Sequence, residues 1–131
     1  MRELVVCLLL AAFAGIAADR DLSGRYEGEW KSASGNGGAI RFTLDAGTGG
    51  VWKADLMFTL DGADVKTTMR EVKLQDGKIE LAYDFNVQGL TARSRVKGEW
   101  NGTAFRGQYE TTLVDGGQTV DGGTWSAAKQ K

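Results

Sequence analysis

The run Lys78-Ile79-Glu80-Leu81-Ala82-Tyr83-Asp84-Phe85-Asn86-Val87, closed by Gln88-Gly89 and followed by Leu90-Thr91-Ala92-Arg93-Ser94-Arg95-Val96-Lys97-Gly98-Glu99-Trp100, decides the fold. In its first half Ile79, Leu81, Tyr83, Phe85 and Val87 fall at every second position, with Lys78, Glu80, Asp84 and Asn86 between them. A period of two is the mark of a pleated strand with one buried face, because successive side chains leave opposite sides of the sheet. The second half repeats the rhythm, with Leu90, Ala92, Ser94, Val96, Gly98 and Trp100 facing one way and Arg93, Arg95, Lys97 and Glu99 the other. Two residues, one of them glycine, join the halves, so the segment reads as a tight hairpin.

The same pattern extends in both directions. Upstream, Asp76-Gly77 and Asp61-Gly62 are further hairpin signals, and between them Val65, Thr67 and Met69 lie on one parity while Val72 and Leu74 lie on the other. That slip predicts a β-bulge near Arg70-Glu71. Earlier still come Trp52, Ala54, Leu56, Phe58 and Leu60, then Ile40, Phe42 and Leu44, then Leu22, Gly24, Tyr26, Gly28 and Trp30, separated by clusters of glycine. Downstream, Asn101-Gly102 leads into Phe105, Gly107, Tyr109, Thr111 and Leu113, and Asp115-Gly116-Gly117 leads into a last strand from Val120 to Ala127. Short strands at this spacing indicate a barrel or a sandwich.

Short connections make neighbours in sequence neighbours in the sheet, and no long crossover of the kind a Greek key needs is present. An open sheet of this size leaves two long edges, which proteins protect with proline, charge or closure. The chain contains 19 glycines and no proline. We therefore expect an all-β fold: a single antiparallel up-and-down barrel of about eight strands, closed on itself.

The N-terminus has a different character. Arg2 is followed by an apolar run from Leu4 to Ala14 and by Gly15-Ile16-Ala17-Ala18 before Asp19. These are the parts of a secretory signal peptide, and the run falls short of the roughly 20 apolar residues that span a bilayer. Residues 1–18 are expected to be the signal peptide, with cleavage after Ala17 or Ala18, and residues 19–131 the barrel domain. Export to the periplasm or the extracellular space follows, with no stable membrane anchor after cleavage. Cys7, the single cysteine, leaves with the signal, so the barrel must hold without disulfides. A domain of this length can bury enough surface to do so.

The formal net charge is -1, with both signs interspersed, and nothing marks a nucleic-acid or membrane surface. Histidine is absent, and with Cys7 removed the usual general base, thiol nucleophile and zinc ligand sets are missing. Asp55, Glu80 and Asp84 remain as carboxylates, but the alternation sends all three to the polar outer face, whereas catalysis asks for a buried pair. No catalytic residue, metal or cofactor is expected.

The inner face carries Tyr26, Trp30, Phe42, Trp52, Phe58, Tyr83, Phe85, Trp100, Phe105 and Tyr109, interleaved with small residues such as Gly28, Ala54, Ala92, Ser94, Gly98 and Gly107. Large residues opposite small ones either fill a barrel or leave a pocket beside the small ones, and the strand register decides which. Glycine two residues before an aromatic recurs at Gly28-Glu29-Trp30, Gly98-Glu99-Trp100 and Gly123-Thr124-Trp125. Such glycines let a ring from a neighbouring strand cover exposed backbone, so packing is the first reading and ligand stacking the second.

Gly28-Glu29-Trp30 on the first strand resembles the Gly-x-Trp element that opens lipocalins and other calycin-type barrels, and the wider layout is similar to small lipocalin-like domains of secreted bacterial proteins. The resemblance implies a barrel whose mouth takes a small apolar ligand. Lipocalins usually add disulfides and a helix after the barrel, and this chain shows neither.

Other motifs have plainer readings. Arg93, Arg95 and Lys97 form an outer basic stripe that Glu80 and Glu99 can neutralise, more a solvated face than an anion site. Asp115-Gly116-Gly117 and Asp121-Gly122-Gly123 are read as paired turns rather than calcium ligands, since too few carboxylates gather there. Asn101-Gly102-Thr103 fits a glycosylation acceptor but is needed for a tight turn. The leading functional expectation is an exported barrel that binds a small apolar molecule through Trp52, Phe58, Tyr83 and Phe85. Its rival is a filled barrel acting as a structural, interaction or accessory module through its outer face.

Overall fold

The computed structural model describes residues 22–131. The expected signal peptide and Cys7 lie outside the described residues. Among the described residues nine strands are formed: β1 (Gly24–Ser32), β2 (Gly37–Ala46), β3 (Trp52–Leu60), β4 (Ala63–Lys66), β5 (Thr68–Gln75), β6 (Lys78–Val87), β7 (Leu90–Trp100), β8 (Ala104–Leu113) and β9 (Thr119–Lys129). All neighbours pair antiparallel in the order β4-β3-β2-β1-β9-β8-β7-β6-β5. The first and last strands of the chain meet, with Trp30 opposite Trp125, so the sheet curls into the up-and-down barrel that the alternation calls for.

The two ends of that order, β4 and β5, are consecutive in sequence and separated by Thr67 alone. What reads as one strand from Val65 to Leu74 is divided there: its first part pairs with β3, Met57 opposite Lys66, and its second with β6, Thr68 opposite Asp84. The chain itself thus carries the wall across the remaining gap. At the crossing point the Thr67 hydroxyl donates to the Leu56 carbonyl oxygen at 2.6 Å. The predicted bulge is present, with the register of β5 against β6 shifting between Met69 and Glu71. It leaves Arg70 as the extra residue.

Turn chemistry explains the register. At the three hairpins Asp61-Gly62, Asp76-Gly77 and Gln88-Gly89 both residues take positive φ, from 51° to 81°, the twist that matches antiparallel strands and that glycine at the second position permits. Asn101 closes the β7–β8 turn by accepting backbone N–H groups of Thr103 and Ala104 at 3.0 and 2.9 Å. Within the wall, glycine serves close approach instead. A Cβ on Gly28 would overlap the Ser126 carbonyl oxygen, and one on Gly98 would lie 2.6 Å from the Trp125 ring. The Trp125 indole N–H, lying over Gly98, donates to the Lys97 carbonyl at 3.1 Å.

The two ends of the barrel differ. At the end where β1 begins and β9 finishes, Tyr26, Phe42, Trp100 and Phe105 form a ring cluster that seals the interior. Tyr26 stacks on Phe42 at 4.9 Å, and Phe105 lies 5.2 Å from both Tyr26 and Trp100. Tyr26 is fully buried; its hydroxyl donates to the Leu22 carbonyl at 2.6 Å, and burial pushes its pKa up to about 12. The opposite end, under the β1–β2, β3–β4, β6–β7 and β8–β9 connections, is not filled.

Candidate ligand cavity

That unfilled end is a cavity of about 300 Å³, open at its mouth. Its walls come from β1, β2, β3 and β6 to β9. Trp30, Phe58, Tyr83, Phe85, Tyr109 and Trp125 supply the aromatic surface, and Ile40, Leu60, Ala92 and Val96 the aliphatic surface. The small residues of β7 create the room: Ala92 and Ser94 face Phe85 and Tyr83 directly across the ladder. The rings hold one another edge to face. Phe58 lies 4.9 Å from Phe85, and Trp30 stands nearly perpendicular to both Phe58 and Tyr109 at 6.2 and 6.1 Å. Such geometry sets the positive edge of one ring on the negative face of the next. The Trp30 indole is further fixed by donating to the Thr59 carbonyl at 3.0 Å.

Two polar groups interrupt this wall. On β7 and β8 the Ser94 and Thr111 hydroxyls, both buried, bond to each other at 2.6 Å. Tyr83 lies beside them; burial raises its phenol well above the usual range, and a hydrogen bond with Ser94 opposes the shift. Nearer the mouth, Asp121 accepts from the Ser32 hydroxyl at 2.5 Å and from the Tyr109 hydroxyl at 3.0 Å. Burial and then the Asp121 carboxylate push the Tyr109 phenol far up, so it stays a proton donor at neutral pH. Leu90 and Val120, 55% and 53% exposed, stand at the rim.

Of the four residues expected to touch a ligand, Phe58, Tyr83 and Phe85 line this cavity together. Trp52 does not. It lies six residues before Phe58 on β3, roughly 20 Å lower at the strand rise, and borders a separate groove with Ala54, Met69 and Val72, packed against the core. Period two assigned its face but not its height.

Asp121-Gly122-Gly123 is not a turn, as the sequence pattern suggested, but part of β9, with Asp121 opposite Thr111 and lining the cavity. Gly123 is required because a Cβ there would overlap the Lys31 carbonyl oxygen. Asp121, Tyr109, Ser94 and Thr111 were not foreseen as site residues, although all four share the inward parity of Trp125 or Phe105 on their own strands or the adjoining β7. Among the described residues no group of three or more potential metal ligands occurs.

The outer basic stripe is paired throughout. Arg93 reaches Asp84 with Nε at 2.7 Å and Nη2 at 3.1 Å, Arg95 lies 3.6 Å from Glu71, and Lys97 lies 3.7 Å from Glu80. Asp84 is on the outer face as expected, yet only 7% exposed, because the bulge also brings Arg70 Nε to its other oxygen at 2.9 Å. The hydrogen bond from Arg93 is the main cause that holds the Asp84 carboxyl below the usual carboxylate range.

Comparison with known proteins finds no matching family model, no matching curated protein and no matching solved structure.

Proposed function

We propose that this protein is an exported, lipocalin-like carrier or receptor that binds a small, largely apolar molecule inside the barrel rather than transforming it. The observation that carries the reading is the asymmetry of the interior, sealed by rings at one end and hollow at the other over about 300 Å³. That volume is at the lower edge of the range of small-molecule sites, and a mostly apolar wall with a few convergent polar groups is their usual character. The rival reading, an accessory module working through its outer basic stripe, draws less support, because each cation of that stripe already faces a carboxylate.

Tryptophan emission tests the reading directly, since Trp30 and Trp125 belong to the wall. Titration with 1-octanol is expected to change the emission saturably. Ala92→Phe, which adds a ring at a cavity-facing position, is expected to abolish the change while leaving the far-ultraviolet spectrum of a β-protein intact. An emission that drifts linearly with added octanol, alike in both proteins, would overturn the proposal.

A further inference from the structure

Among the described residues the cavity wall contains one charged side chain, Asp121, and none of the ion pairs includes it. Its two hydrogen-bond donors, Ser32 and Tyr109, are neutral hydroxyls. Each takes one lone-pair site, whereas a carboxylate offers about four, so both oxygens retain accepting capacity. An anion set beside apolar surface is costly unless it is compensated. The other carboxylate with little access to water, Asp84, lies on the outer face and is held there by Arg70 and Arg93, neither of which lines the cavity. Tyr109, whose hydroxyl bonds the carboxylate, stands edge to face with Trp30 in the same wall, and electron-rich ring faces attract cations from close range. By contrast, the buried Ser94 and Thr111 hydroxyls bond to each other, and Ser94 also to Tyr83, and neither carries a charge.

We infer that the ligand class is an amphipathic organic cation: an alkyl- or arylammonium whose body lies among Phe58, Tyr83 and Phe85 and whose ammonium group meets Asp121 at the mouth. This rests on the binding role proposed above and narrows it. The charge supplied by the ligand is the one the wall lacks, and a fatty carboxylate, the same body with the opposite head, is repelled from the same place.

Three probes of equal chain length separate the ideas: octylammonium, 1-octanol and octanoate, titrated calorimetrically into the purified protein at pH 7 and low salt. Octylammonium is expected to bind about tenfold or more tightly than octanol, as a hydrogen bond between opposite charges adds to shared apolar burial, and octanoate is expected to bind weakest. Asp121→Asn, which keeps the shape and a carbonyl acceptor for one of the two hydroxyls, should bring octylammonium to within about twofold of octanol measured in the same variant. Octanol binding as tightly as octylammonium to the unmodified protein overturns the cation assignment while leaving the cavity reading standing. An ammonium preference that survives in Asp121→Asn overturns it too, since the cation is then held elsewhere. Failure of all three probes overturns both. The ranking in the unmodified protein decides the matter whether or not the variant folds.

Discussion

Asp84 shows how a residue on the polar face of a strand becomes structural. Period two sends it outward, but Arg93 from the next strand and Arg70 from the bulge close over it, leaving it almost without water. Its carboxyl is lowered in the folded state, so the stability it contributes is fully present above the ordinary carboxylate value, near 3.8, and is lost as pH falls through the lower folded value. Asp84→Asn is therefore expected to lower stability at pH 7 by about 1–2 kcal/mol, a charge-assisted contribution discounted because both guanidiniums remain partly open to water. In urea titrations the gap between the two proteins should narrow as pH falls below the ordinary carboxylate value; a gap that is constant with pH would mean the carboxylate charge is not what matters. Asp121 makes the complementary point. Nothing in the pair of Asp-Gly-Gly units separates a turn from a strand, because the need for Gly123 comes from the Lys31 carbonyl on another strand, which sequence order does not reveal.

At the scale of elements the hairpins were legible and the seam was not. Asp61-Gly62, Asp76-Gly77 and Gln88-Gly89 announce their conformation because few residue pairs tolerate two successive positive φ values. The bulge at Arg70 was legible for a related reason, since a change of parity between Met69 and Val72 has to be absorbed somewhere. The break at Thr67 leaves no trace in the alternation, as Val65, Thr67 and Met69 keep one phase straight through it. It exists because the strand must leave β3 and join β6 to complete the wall, a demand of closure and not of local preference. Thr67→Val keeps the shape and β propensity but deletes the donor to Leu56, and is expected to cost about 1 kcal/mol in urea unfolding. Equal stability of the two proteins would show that the seam does not depend on that bond.

For the whole molecule, the division into a packed end and a hollow end sets where mutations hurt. Phe105 is fully buried in the ring cluster, whereas Phe85 faces space that is already empty. Truncating a ring inside a close-packed core loses its transfer energy and opens a void, about 3–5 kcal/mol. Phe105→Ala is expected to fall in that range and Phe85→Ala to cost less than half as much, measured by chemical denaturation; comparable losses would mean the hollow end is as tightly packed as the other. Fold class and the inward face of Phe58, Tyr83 and Phe85 could be read from rhythm alone. The presence of the hollow and the exclusion of Trp52 from it could not, because both depend on stagger between strands.

One further consequence comes from the pairing of Tyr26 with Lys129 and the hydrogen bond from Gln130 N–H to the Arg25 carbonyl at 2.8 Å. The start of β1 and the tail of the chain leave from the sealed pole, side by side and opposite the mouth. Immobilised on a bead or fused to a neighbour through its last residue, the molecule stands like a cup on its base, with its opening turned to the surrounding liquid. For the same reason a short linker from Lys131 back to residue 22, with new ends cut at Gln88-Gly89, would rewire the chain without changing the vessel.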